Sequence, residues 1–215
     1  MRAITKGAEP RELTHYRSQP HAYFDGAPKE SLRLALAKEQ GYLCAYCMRR
    51  IKATHNGMKI EHFRAQDTHP ELALSYRNML GVCNGGEGQE RNLQHCDSHK
   101  GNRAITIDPL DKPERFIRYL NDGSIISDND SIWADLDTTL NLNITTLRRD
   151  RKAAWDGVYG ALKRLGDDGF REGTLRRKIA KLREKSSDGM YSEYCGMVLY
   201  FLAKKLRKVA ARKGK

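Results

Sequence analysis

The chain has 215 residues, enough for one domain or two small ones, and its 39% hydrophobic and 31% charged content is that of an ordinary globular protein. No run approaches the ~18 consecutive apolar residues of a membrane span, and the opening "MRAITKGAEP" lacks an apolar signal core. The expected compartment is therefore the cytoplasm, with no membrane partner. The net charge of +12 is uneven: residues 1–147 hold 19 Lys+Arg against 19 Asp+Glu, and residues 148–215 hold 20 against 8. That excess is an electrostatic footprint for a polyanion or an acidic partner.

Residues 1–30 mix Pro, Gly and His with little periodicity and read as an extended arm. "ESLRLALAKEQGYLC" then sets Leu32, Ala35, Leu36 and Leu43 at helical spacing, with Gly41 as its stop. From Cys44 to about Asn102 short apolar pieces alternate with Gly-rich and polar stretches, too irregular to close a core without a staple. "FIRYLNDGSIIS" (116–127) predicts a hairpin turning at Asn121-Asp122-Gly123. Beyond it the helical period returns. One helix is expected to carry Leu147, Arg151, Ala154, Val158, Leu162 and Leu165 on a face, with Trp155 and Tyr159 beside it. A second is expected over roughly 174–186 and a third over roughly 190–210, followed by a frayed tail "RKVAARKGK". The expected organisation is an arm and helix at 1–43, a metal-braced unit at 44–103, and a hairpin with basic helices at 104–215.

In a reducing compartment spaced cysteines hold metal more often than they pair. Cys44-Ala-Tyr-Cys47 is the tight pair of a tetrahedral zinc site, because two thiolates two residues apart reach one ion from a single turn. Cys83 and Cys96 complete a four-thiolate set, although 12 residues separate them; His95 and His99 are the substitutes if one thiol is not a ligand. Such a closed site is structural. Cys195, alone in an apolar pattern, reads as a small buried hydrophobe.

Inside that frame the run Cys44-x-x-Cys47, Glu61-His62, Asn78, Cys83 and Cys96-Asp97-Ser-His99-Lys100 resembles the zinc-braced HNH endonucleases. Together with "KIEHFRAQ" and "HCDSHKGN" it is similar to the HNH proteins of Septu and retron-associated anti-phage systems (PtuB-like). The resemblance implies an α+β fold with a zinc-braced ββα-metal unit, flanking helices and a helical C-terminal region. It also implies hydrolysis of DNA phosphodiester bonds, with a partner ATPase of the PtuA type. Retron-derived nucleic acid and a reverse transcriptase are further partners it suggests. Two departures stand out: the second cysteine pair is stretched, and Asp97 stands where the family has His or Asn.

On that reading His62, with an ordinary pKa of ~6.5, is the general base for water. Glu61 and Asp97 (or His99) hold Mg²⁺ or Mn²⁺, which acts as a Lewis acid at the phosphate. Asn78 steadies the loop and orients the base, and Lys100, Arg103 and Arg64 contact phosphates. His15, His21, His55 and His69 are expected on the surface. The competing reading is a non-catalytic zinc module that binds nucleic acid, or an adaptor working through residues 145–210.

Overall fold

A computed structural model describes residues 1–213, with side chains described to residue 211. The fold is α+β. Among the described residues there are seven α-helices and two small two-stranded antiparallel sheets. The expected arm contains a helix, α1 (Arg11–Arg17), that buries Leu13. One apolar residue makes no stripe, so periodicity could not reveal it. Helix α2 (Lys29–Glu39) buries Leu32, Leu36 and Ala37 and ends where Gly41 takes φ +60. A Cβ there would meet the Tyr191 ring at 2.3 Å, so glycine suits both the left-handed turn and the close approach.

Strands β1 (Lys59–His62) and β2 (Met79–Val82) pair antiparallel, with Glu61 opposite Leu80 and His62 opposite Met79. A one-turn helix, α3 (Asp97–Lys100), follows. The second sheet is the expected hairpin, β3 (Arg118–Tyr119) with β4 (Ile125–Ile126). Gly123 closes its turn at φ +89, and its N–H donates to the Leu120 carbonyl. Helix α4 (Asp130–Ala134) is capped by the Asn129 side chain and runs into a π-helical turn at Asp135–Thr139 that no pattern announced.

Helices α5 (Thr145–Arg164), α6 (Glu172–Arg183) and α7 (Cys195–Lys213) form the basic half. The face of α5 is the expected one except at its end, with Ala154, Val158 and Tyr159 partly buried against the core. Leu147, Arg151, Trp155 and Leu162 are buried, while Leu165 is 57% exposed beyond the helix end. Cys195 is buried as expected. Helix α7 starts five residues later than the pattern suggested, because Tyr191 and Tyr194 give their backbone N–H groups to the carbonyls of Gly41 and Met48. It continues through Lys213, where a frayed tail was expected; the last two residues of that tail lie outside the described ones.

The four sulfurs of Cys44, Cys47, Cys83 and Cys96 lie within 4.8 Å of one another, and all four residues are buried. Cys44 Sγ is 3.8 Å from Cys96 Sγ, and Cys47 Sγ is 3.7 Å from Cys83 Sγ. These spacings are far longer than a disulfide's ~2.05 Å. They match the edge of a tetrahedron with a Zn–S radius of ~2.3 Å, which is about 3.8 Å. The donor set therefore fits a structural zinc. His95 Nδ1 approaches Cys96 Sγ at 3.2 Å and Cys83 Sγ at 3.9 Å, a thiolate neighbour more than a fifth ligand. His99 lies outside the cluster.

Arg151, 1% exposed, holds the hairpin to α5: its Nε donates to the Gly123 carbonyl at 2.6 Å and its Nη2 to the Leu142 carbonyl at 2.7 Å. A Cβ at Gly123 would sit 2.0 Å from the Arg148 carbonyl oxygen, against a backbone that cannot give way. Gly123→Ala should therefore lower stability by more than about 2 kcal/mol, read as a drop in thermal midpoint. Metal analysis of the purified chain should find one zinc per chain, lost in Cys83→Ser. A strong chelator should unfold the region around β1 and β2 first, seen as accelerated amide exchange there.

Candidate active site

The thiol frame aims three pieces of backbone at one place. Cys44 and Cys47 sit on a tight bend in which the Met48 N–H donates to the Cys44 carbonyl and the Cys44 N–H to the Arg49 carbonyl. Cys83 directly follows β2, and Cys96 directly precedes α3. Both the hairpin and the short helix are thus anchored at one end by a ligand.

Between β1 and α3 the charges alternate. Lys59 and Glu61 share one face of β1, two residues apart, and Asp97 and Lys100 lie one turn apart on α3. Lys100 Nζ is 2.8 Å from Glu61 Oε1, with side chains 1% and 5% exposed. Lys59 Nζ is 3.6 Å from Asp97 Oδ2 and 2.8 Å from Glu87 Oε1. The Tyr46 hydroxyl, from between the first two cysteines, donates to Glu61 Oε1 at 2.9 Å. Burial pushes the Glu61 carboxyl up to about 8, the Asp97 carboxylate adds to the rise, and Lys100 opposes it.

Two such carboxyls suit a hard divalent cation, which often takes one or two protein carboxylates and completes its shell with water and substrate phosphate. His99 does not join them: its Nδ1 lies 3.0 Å from the Thr139 carbonyl. Among the described residues, the four cysteines alone form a set of three or more potential ligands converging within 4.8 Å, so Glu61, Asp97 and His99 do not meet at one point.

His62 faces a different neighbourhood. Its Nε2 is 2.9 Å from the Ala73 carbonyl, which can only accept, so Nε2 carries the proton and Nδ1 the lone pair. Burial lowers its pKa below the ordinary 6.5, with the Ala73 hydrogen bond opposing and the Lys29 charge assisting. The Phe24 ring stands edge-on to the imidazole, centroids 4.3 Å apart. Asn78 closes the loop that supplies the Ala73 carbonyl. Its Oδ1 accepts from the Arg64 N–H at 2.8 Å, and its Nδ2 donates to the carbonyls of Arg64 (3.0 Å) and Leu72 (3.4 Å).

The three basic residues expected to face phosphate separate. Arg64 is exposed, its guanidinium 5.3 Å from the Phe63 ring centroid. Lys100 is instead a buried partner of Glu61, because α3 turns it inward beside Tyr46. Arg103 folds back on α3, its guanidinium donating to the carbonyls of Lys100, His99 and Thr139. Arg91 joins it on the carbonyls of Ser98 and His99, so two arginines cap a helix of one turn. Sequence reasoning passed over Tyr46, Lys59 and Lys29. Position i−2 from Glu61 could have pointed to Lys59; nothing local could have pointed to Lys29, 33 residues from His62.

No protein-family model matches the chain. Among curated proteins it is 30% identical over 94 residues to the Septu protein PtuB of Bacillus thuringiensis, a stretch covering 43% of this chain and 34% of that protein. It is 28% identical over 118 residues to the Escherichia coli protein named "Retron Ec83 putative HNH endonuclease", covering 46% of each. The chain matches less than half the length of either relative. At that identity and coverage, it is similar to a Septu PtuB protein and to a retron protein whose name reads putative HNH endonuclease.

Proposed function

We propose that the chain is a metal-dependent HNH endonuclease that hydrolyses DNA phosphodiester bonds, working in an anti-phage defence complex with an ATPase of the PtuA type. Retron-derived nucleic acid and its reverse transcriptase are further candidate partners. The observation that carries the reading is His62, its tautomer set by the Ala73 carbonyl, next in sequence to the buried Glu61–Lys100 pair on a thiol-braced strand pair. The names of the two relatives support the defence setting. On this reading β1, β2 and α3 are the ββα-metal unit.

His62 takes the proton of the attacking water at Nδ1, and its Nε2–H stays on Ala73 throughout, so no tautomer exchange is needed. Asn78 holds the loop that carries Ala73 and so keeps the imidazole aimed. Glu61 and Asp97 would hold Mg²⁺ or Mn²⁺, which supplies Lewis acidity at the phosphate and the leaving oxygen. Lys100 neutralises Glu61 while that charge is not otherwise met. Arg64, exposed beside His62, contacts a backbone phosphate.

Supercoiled plasmid incubated with Mg²⁺ or Mn²⁺, with and without the ATPase, tests this directly. Nicking or linearisation by the wild type and a loss of about 10²–10⁴-fold in His62→Ala are expected. Equal cutting by His62→Ala would remove the base assignment. Binding without cutting in every condition would leave the non-catalytic zinc module instead. The pH profile follows from the lowered His62 pKa. With Mg²⁺ saturating, so that Glu61 is held as its anion, protonation of His62 removes the base, and this fall in rate, of unit slope, should begin only below the ordinary imidazole value of about 6.5.

A further inference from the structure

The N-terminal segment meets His62 from a side that neither the thiol frame nor β1 supplies. Phe24, in a single 3₁₀ turn (Phe24–Gly26), packs its ring edge-on to the imidazole. Lys29, the first residue of α2, donates from Nζ to the Phe24 carbonyl at 2.5 Å and stands 2.8 Å from the centroid of the same ring. Its ammonium is therefore no farther from the His62 ring than 2.8 Å and 4.3 Å laid end to end.

Arg33 follows one helical turn later, on the same face of α2. Its Nε is buried and has no hydrogen-bond partner. Neither cation forms an ion pair with a carboxylate among the described residues. Two like charges one turn apart repel, and burial already pulls the Lys29 amine down to about 8, with Asp25 opposing and Arg33 assisting. A polyanion laid across both would relieve the repulsion. Beside them the Tyr23 ring is 64% exposed, while its backbone is fixed on both sides by the Tyr16 hydroxyl. An exposed aromatic one residue before Phe24, which Lys29 contacts, on a chain with two cations free of carboxylate partners, suits a nucleic-acid strand better than an acidic peptide.

We propose that Lys29 and Arg33 clamp the backbone phosphates next to the scissile bond, and that Tyr23 is the stacking wall for the strand leaving the clamp. The assignment rests on the nuclease reading. A strand with one phosphate at His62 brings its neighbouring phosphate within reach of Lys29, whose ammonium lies over the Phe24 ring that packs on the imidazole.

The test uses the full zinc-loaded chain and a fluorescein-labelled single-stranded DNA 20-mer, with affinity measured over a salt series in the absence of divalent cation. Lys29→Gln combined with Arg33→Gln should make the slope of log K against log salt shallower by about 1.4, from two lost phosphate contacts. Tyr23→Ala should weaken binding by roughly 5- to 100-fold and leave the slope unchanged. Lys29→Arg combined with Arg33→Lys should keep the wild-type slope, which separates charge from a folding effect. Plasmid cutting by the wild type alongside these measurements reports on the nuclease independently. Cutting by the wild type together with an unchanged slope in the double Gln variant overturns the clamp and leaves the nuclease standing. A charge-dependent slope without cutting keeps the phosphate site and removes the nuclease. No binding of the 20-mer by the wild type overturns the clamp, and the cutting assay alone then decides the nuclease.

Discussion

Four thiolates converging on one point are the constraint from which the rest of the molecule follows. Their edges of 3.7 and 3.8 Å join a bend before β1, the end of β2 and the start of α3. Thiols brought this close would repel as anions and pack poorly as neutral groups, and a divalent cation resolves the conflict. The backbone around them carries the cost. Tyr42, Met48, Cys96 and Tyr194 all adopt positive φ without being glycine, each at about 1–2 kcal/mol, a strain that bonds from sulfur to a bound metal would offset.

The helical half buttresses the frame as well as lying beside it. The Tyr194 N–H donates to the Met48 carbonyl, its hydroxyl donates to Asp150 at 3.2 Å, and Asp150 pairs with Arg49 at 3.0 Å. Glu193 accepts from the Arg50 N–H. The bend that holds the first two cysteines is therefore gripped from α5 and from the segment before α7. The N-terminal arm adds a strap, with Lys6 reaching both Glu39 and the carbonyl at the start of β2. A short hairpin with one turn of helix would not hold a buried Glu–Lys pair in place unaided, because removing either partner of such a pair costs about 3–5 kcal/mol.

Within that support the site keeps its two chemistries apart. Glu61 and Asp97 face lysines on one side of β1, whereas on the other side His62 is held neutral by burial and has its tautomer set by one carbonyl. A base that stays unprotonated and acids that call for a cation are complementary requirements. Alternation along a strand meets both with adjacent residues.

Much of this was legible in residue order. The four-cysteine set, the hairpin at Gly123 and three C-terminal helices follow from spacing, period and turn chemistry, which are local properties; the acid–histidine pair and Asn78 stood out only through the resemblance to a known family. The path of the chain between them is not local, and tertiary structure decided it. Lys100 and Arg103 looked like phosphate contacts because they are basic and follow the last cysteine, yet α3 turns one inward and folds the other onto its own carbonyls. Helix α7 begins late because Tyr191 and Tyr194 exchange helical hydrogen bonds for partners near Gly41 and Met48. Lys29 and Phe24 reach His62 only because α2 packs against the β hairpin. Sequence by itself determined which groups are present and how neighbours are spaced; the closure of long loops decided which groups meet, since that depends on burial and desolvation summed over the whole core.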